Sequence, residues 1–155
     1  MFRCWRGLLG VMLLSQGGEE IAQLVPHQGR MCFWEQVVEW DTTRVVLCSD
    51  MHRDVVHPLR CDGGLHAVHL CEYGAQAMAV HGGLLGRQMG RPVRQGVLVA
   101  LRGVTLHVER FDDLPQALYG EAEVLMQGED SQQYRFRIFH VDQLLAEGRA
   151  VVMLG

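Results

Sequence analysis

The sequence contains no C-x-x-C pair, no H-E-x-x-H helix signature, no G-x-G-x-x-G loop, no repeat and no low-complexity tract. The first absence excludes a zinc finger and a disulfide framework, which need closely paired cysteines. The five cysteines, Cys4, Cys32, Cys48, Cys61 and Cys71, are odd in number and widely spaced. They read as reduced thiols, which points to the cytoplasm. The missing glycine pattern argues against a dinucleotide loop. A basic surplus is missing too: 14 Lys and Arg stand against 18 Asp and Glu, for a net charge of −4. Phosphate binding wants a basic surface, so nucleic acid is excluded as the main partner. No apolar run approaches the length needed to span a bilayer, so no membrane partner is expected. The histidines His52, His57, His66, His69 and His81 raise the question of a metal, but without a ligand signature, and in a helix too apolar to supply polar groups that would orient the rings, the expectation is no metal.

What remains is one domain. A chain of 155 residues, 48% apolar and 21% charged, has the composition of a single globular core. Residues 1–17 stand apart as an N-terminal extension, with Arg3 and Arg6 ahead of a short apolar run from Leu8 to Leu14. That run reads as an extra helix or as sequence upstream of the true start, and residues 18–155 form the domain proper.

Glu19 to Val25 reads as a short helix stopped by Pro26. Cys32–Trp40 and Arg44–Asp50 read as two strands joined by turn chemistry at Asp41 and Thr42. From Gly63 to Gly86 the texture changes. This stretch has no Pro, Lys or Arg and a single carboxylate, Glu72, and its apolar residues surround nearly the whole helical circumference. Such a helix, expected over residues 65–86, has to be buried. After Pro92 strands return: a long one over Val93–Arg110, bent at Gly96 or Gly103, then Leu118–Gln127, Gln132–Val141 and Leu144–Leu154 at hairpin spacing. In Tyr134–Phe139 apolar and basic residues alternate with period two, the mark of a half-buried strand. The class is α+β: a curved antiparallel sheet wrapped around one long buried helix, the hotdog arrangement. An open edge in so small a sheet calls for a second chain, so a dimer is expected.

Glu72 is the first candidate for chemistry. A lone carboxylate inside an apolar helix is costly while charged and unpaired, which prepares it to give up a proton to a substrate. Gln76 lies one turn on, on the same face, able to hold the carboxyl by hydrogen bond, and His69 lies three residues before it. His27, in the constrained segment VPHQGRM, is the second candidate.

Ala22–Asp41 (AQLVPHQGRMCFWEQVVEWD) together with Glu72–Gly83 (EYGAQAMAVHGG) resembles the bacterial 3-hydroxyacyl-[acyl-carrier-protein] dehydratases, and most of all the branch found in aryl-polyene-type clusters. The shared features are LVPH followed by M, then E-x-x-A-Q-x-x-A. The later ALRGVTLHVERFDDLP and LLAEGRAVVML also look like strands of that branch, so the resemblance spans roughly residues 20–154. It implies a hotdog fold, a homodimer or a heterodimer with a related dehydratase, acyl carrier protein as partner, and no cofactor beyond the phosphopantetheine arm that carries the substrate. One departure stands out. The GHFP-type loop that supplies the catalytic His in better-known members is replaced by HPLRCDGGLHAVHL, and none of His57, His66 and His69 matches it. Either His27 supplies the imidazole, with His69 second, or the chain has lost the reaction and serves as partner subunit to an active dehydratase.

The implied reaction, loss of water from a 3-hydroxyacyl thioester to give the trans-2-enoyl form, fits an imidazole and a carboxyl. It needs a base for the Cα proton, an acid for the departing hydroxyl and donors for the thioester oxygen. His27 serves as base and Glu72 as acid. Backbone N–H groups at the expected helix start, near Gly63 and Gly64, serve as donors. A thioesterase of the same fold is the rival enzyme. From Tyr73 to Val108 the chain carries four arginines and no acid. Arg87, Arg91 and Arg94 are expected to form a cationic rim that meets an acidic carrier protein and its phosphate.

Overall fold

The computed structural model describes residues 18–24, 29–92 and 94–155. The extension 1–17 and His27 lie outside them. The chain runs α1 (Gly18–Leu24), β1 (Gln36–Trp40), β2 (Arg44–Ser49), α2 (Leu70–Gln88), β3 (Gly96–Leu106), β4 (Leu118–Gln127), β5 (Ser131–His140) and β6 (Gln143–Leu154). The strands form one six-stranded sheet in the order β1-β2-β4-β5-β6-β3, antiparallel throughout. Two connections cross between non-adjacent strands, β2 to β3 through α2 and β3 to β4, and α2 lies across the concave face of the sheet. This is the hotdog arrangement read from the sequence.

Period-two patterning makes the concave face. Val45, Leu47, Ala122, Phe136, Ile138, Ala146 and Ala150 are buried, while the residues between them point outward. The outward positions are charged and in register. Arg44, Glu123, Arg135 and Arg149 form one row, and Glu121, Arg137 and Glu147 the next. Within these rows Glu121 accepts from Arg44 and Arg137, and Arg135 pairs with Glu123. Glu121 is buried between its two arginines, the arrangement in which an ion pair is screened least.

Register shifts in β1, β3, β4 and β5 curl the sheet around the helix. At the shift between Arg102 and Thr105, Gly103 takes φ +60°, a conformation that disfavours any side chain. The bend expected at Gly96 or Gly103 is therefore at Gly103, and Gly96 opens the strand.

Two boundaries differ from the sequence reading. The first strand begins at Gln36 rather than Cys32, because the Phe33 N–H is taken by the Gln76 side chain (2.8 Å). The long helix begins at Leu70 rather than Leu65, after one 3-10 turn over Ala67–His69. Upstream of that turn the backbone is committed elsewhere: Leu65 N–H to Asp112 Oδ1 (2.8 Å) and Ala67 N–H to Glu109 O (2.9 Å). Arg110 holds the Asp112 carboxyl below the usual carboxylate range and so keeps it an acceptor for that turn. At the far end Gly90 adopts φ +63°, with Gly90 N–H to Arg87 O and Arg91 N–H to Gly86 O. Those two bonds satisfy the last carbonyls and carry the helix two residues past the expected stop.

Helix and sheet approach closely at Gly74, where an added Cβ would lie 2.6 Å from the Phe136 ring. Gly82 on the other face has nothing within 4 Å of such a Cβ. Helix propensity alone favours alanine over glycine by up to about 1 kcal/mol at either site. Overpacking a ring costs about 1–3 kcal/mol and wins at Gly74. Thermal unfolding followed by circular dichroism should therefore show Gly74→Ala melting several degrees below the parent and Gly82→Ala at or above it.

Candidate active site

The helix buries Leu70, Tyr73, Gly74, Ala77, Met78, Val80 and Leu84 against the sheet and leaves a stripe half-buried. That stripe carries Glu72, Ala75, Ala79, Gly82 and Gly86, spaced three and four apart, so they share one face. It floors a cavity of about 840 Å³ that runs from Glu72 to Met89 and Arg91. At 1.5 Å per residue the floor is about 25 Å long. The opposite wall comes from Gln95 and Leu98 near the start of β3, from Tyr134, and from Val152 and Leu154 at the end of β6. Small residues on the helix make the room, and apolar wall residues suit an alkyl chain.

Glu72 enters the cavity with its carboxyl oriented. Gln76 Nε2 donates to Glu72 Oε1 (3.1 Å) and to Met31 O (2.7 Å), while Gln76 Oε1 accepts the Phe33 N–H. Gln76 is fully buried, so these bonds account for both of its amide protons and its carbonyl. The one-turn pairing expected from the sequence is present, together with two backbone bonds that spacing could not reveal.

Beneath Glu72 lies an aromatic cluster. Tyr73 stacks with Phe33 at 4.9 Å and meets Trp34 and Phe111 edge-on. Trp34 Nε1 donates to Tyr73 O (2.8 Å). His57 closes the cluster, its Nε2 3.1 Å from the Tyr73 hydroxyl, and its Nδ1 accepts the Leu59 N–H (3.1 Å). Because Nδ1 accepts, the ring proton is on Nε2 and points at Tyr73. Burial, with Arg60 adding to it, lowers the His57 pKa to about 4. His57 is thus neutral with both nitrogens engaged, and cannot take a proton from a substrate in this arrangement. Burial likewise raises the Tyr73 pKa.

The other candidates are placed as follows. His69 sits immediately before α2, half-buried, its pKa lowered by burial and by His66, and it does not line the cavity. Gly63 and Gly64 belong to a turn six or more residues ahead of α2 rather than to its first turn. There Gly64 N–H is bonded to Cys61 O (3.1 Å), so it is not an open donor. Arg91 is exposed and lines the cavity. Arg87 is exposed and donates to Gln23 Oε1 (2.9 Å). Arg94 is exposed and also lines the cavity, and its guanidinium is bonded to Gly155 O, Glu129 O, Leu154 O and Asp130 Oδ1, so it ties the end of β6 to the β4–β5 turn at that rim. Of the remaining histidines considered for a metal, His81 is buried between Tyr134 Oη and Asp41 O, both at 2.9 Å, and His52 reaches Leu114 O (2.9 Å). Among the described residues no three His, Cys, Asp or Glu side chains converge, and no helix is long and apolar enough to cross a membrane.

The sequence reading did not single out Tyr73 or the far wall of the cavity. Tyr73 stands beside Glu72 but on the buried side of the helix. The wall residues lie from 23 positions (Gln95) to 82 positions (Leu154) along the chain from Glu72, separations at which only the folded sheet makes neighbours.

The family profile described as ApeP-like, ApeP dehydratase, matches residues 19–154. Among solved structures the chain is similar to one from the dehydratase heterocomplex ApeI:P of Xenorhabdus doucetiae, at TM-score 0.78 and 25% identity over 87% of this chain and 90% of that one. It is also similar to a hypothetical thioesterase with coenzyme A from Streptococcus pneumoniae TIGR4 (TM-score 0.61, 15% identity, 82% and 91% covered). A third similar structure is the PaaI protein of E. coli, from a phenylacetic acid degradation operon (0.57, 17%, 76% and 80%). The last two show a shared fold alone. No curated protein matches.

The buried histidines give the stability a pH dependence. His57 is neutral in the fold down to about 4, whereas the unfolded chain protonates it near 6.5. Its folded pKa is depressed, so the stability it contributes is complete above pH 6.5 and is lost as pH falls towards 4. From His57 alone the loss between pH 6.5 and 5 is about 2 kcal/mol, and His52 and His81, also lowered by burial, act in the same direction. Denaturant unfolding at pH 7, 6 and 5 should show this fall, and His57→Gln should be less stable at pH 7 but lose less on acidification.

Proposed function

We propose that this chain, which belongs to the ApeP-like dehydratase family, removes water from a 3-hydroxyacyl thioester carried on the phosphopantetheine arm of an acyl carrier protein, and that it does so as one subunit of a pair. The observation that carries the reading is Glu72, oriented by Gln76 at one end of a long cavity with apolar walls. A dehydratase needs a carboxyl that protonates a departing hydroxyl beside a channel for the rest of the acyl chain, and this arrangement supplies both. The acid is Glu72. The base is an imidazole. His57 is engaged at both nitrogens, which leaves His27, His69 or a partner's side chain for the role. His27 is favoured within the chain because Met31, four residues on, is itself bonded to Gln76.

The pair is supported by an open sheet edge. Strand β3 is hydrogen-bonded to β6 on one side and ends the sheet on the other. Its residues are exposed on both faces, including Val97 at 63% and Val99 at 54%. An apolar edge of eleven residues is a template for a partner strand. The stripe of α2 that floors the cavity is half-open as well, so a second chain would complete the wall around Glu72. The similar chain from Xenorhabdus doucetiae is part of a heterocomplex, ApeI:P. A related but different dehydratase is accordingly the partner we favour, and the cytoplasm, where acyl carrier proteins work, is the place.

Incubation of a 3-hydroxyacyl carrier protein with the protein, alone and with a related dehydratase, followed by mass spectrometry, should show loss of one water. Glu72→Gln should lower the rate at least about a hundredfold, since it removes the proton but keeps the shape. Retained activity would make Glu72 structural, and loss of the acyl group instead of water would indicate a thioesterase.

Carrier docking falls to Arg87 and Arg91, at the cavity end about 22 Å along α2 from Glu72 for the nearer of them. Reversing both to Glu should raise KM for the carrier-bound substrate and weaken its salt dependence, while turnover of a short pantetheine thioester stays the same. Equal losses on both substrates would place the damage at the site rather than at docking.

A further inference from the structure

The outer face of the sheet is balanced in charge except at its open edge. Across β2, β4 and β5, Arg44, Arg135 and Arg137 each have a carboxylate partner, from Glu39, Glu121 or Glu123. The row continues onto β6 and β3 with Arg149 and then Arg102, directly opposite one another. Like charges so placed destabilise a sheet, and neither arginine has a carboxylate partner among the described residues. The nearest acid on that face of β6, Glu147, is 3.9 Å from His107 Nε2. The bulge at Gly103 adds a second fact. The Arg149 guanidinium lies 3.7 Å from where a Cβ on Gly103 would be, so it reaches across β3 towards the open edge. Two arginines are therefore paired in register at the β3 edge of the sheet, with no carboxylate bonded to either among the described residues.

From this the geometry points to a charge code for the choice of partner: Arg102 and Arg149 select an edge strand that presents carboxylates on its outer face, and reject a second copy of this chain. The proposal rests on the reading that β3 is the pairing edge. An antiparallel pairing of β3 with its own copy, centred near Leu101, would set Arg102 and its twin diagonally across the seam at about 7–8 Å, with both copies of Arg149 behind them. The two Arg102 copies would then fall within one screening length, about 10 Å at 0.1 M salt, with an Arg149 beside each. A partner with Glu or Asp at those positions turns the same contacts attractive. Such repulsive placement is how one surface distinguishes two partners of the same shape. The remaining edge residues, Val97, Leu98, Val99 and Leu101, are apolar and would accept either.

The test uses a charge-swapped copy of the full chain, Arg102→Glu with Arg149→Glu, as a partner of identical shape. Both positions are exposed, and circular dichroism checks that the variant folds. Wild type, isotopically labelled, and the swapped chain are mixed and their dimers counted by native mass spectrometry, with sedimentation velocity in low and high salt alongside. The ratio of mixed dimers to homodimers should exceed its statistical value by about tenfold, the sum of a few exposed cross-strand charge contacts, and the excess should fade in high salt. Wild type alone should self-associate more tightly as salt is raised. Two controls, Leu98→Gln and Leu101→Gln, report on the edge itself without altering charge. Statistical mixing of dimers that these controls disrupt would overturn the charge code and leave β3 pairing intact. Dimers untouched by the controls, or no dimers of any combination, would overturn both.

Discussion

One buried side-chain amide, that of Gln76, holds the candidate site together. It has no access to water, so each of its polar atoms has to find a partner inside the protein. It finds Met31 O and Phe33 N–H in the segment before β1, and Glu72 Oε1 one turn back on its own helix. The same amide therefore fastens the N-terminal segment to α2 and fixes the direction of the one carboxylate on the cavity floor. It also explains why the first strand starts late, since the backbone donor at Phe33 is spent on the helix rather than on the sheet.

The rest of the molecule serves that arrangement by separating apolar from charged surface. The concave face of the sheet is aliphatic and aromatic and takes the buried side of α2, with glycine at position 74 permitting contact against the Phe136 ring. The convex face is a ladder of arginine–carboxylate pairs. A helix so covered keeps one stripe of small residues free of the sheet, and that stripe is where the cavity forms. At the β3 edge both separations end: apolar side chains are exposed there and the arginines lose their acids. The composition of that strand thus suits contact with another chain.

Hairpin spacing between turn residues, with period-two alternation in Tyr134–Phe139, made β4, β5 and β6 legible to within a residue at each end. The long helix was legible from its composition, but its start was not. Leu65 and Ala67, just before Leu70, are apolar like the helix, yet their N–H groups go to Asp112 and Glu109, more than forty residues away. Glu72 and Gln76 could be paired by helical spacing alone, whereas the engagement of His57 by Tyr73 and of Arg94 by the carbonyls of Leu154 and Gly155 depends on tertiary contacts that carry no local signal. Gly63 and Gly64 looked like a helix start because glycine is permissive, and that same permissiveness serves a tight turn equally well. The site was therefore readable where it lies on one regular element and unreadable where it is assembled from several.

The account stands on Glu72 as the group that meets the departing hydroxyl. The most direct measurement is a crystal structure of the protein, with its partner if it requires one, bound to a 3-hydroxyacyl pantetheine in which an amide replaces the thioester and blocks turnover. The account places the acyl chain along the Ala75–Gly86 stripe of α2 and the 3-hydroxyl within hydrogen-bond reach of the Glu72 carboxyl, about 2.6–3.2 Å. An analogue bound in the cavity with its hydroxyl turned away from Glu72, towards another carboxyl, would contradict it.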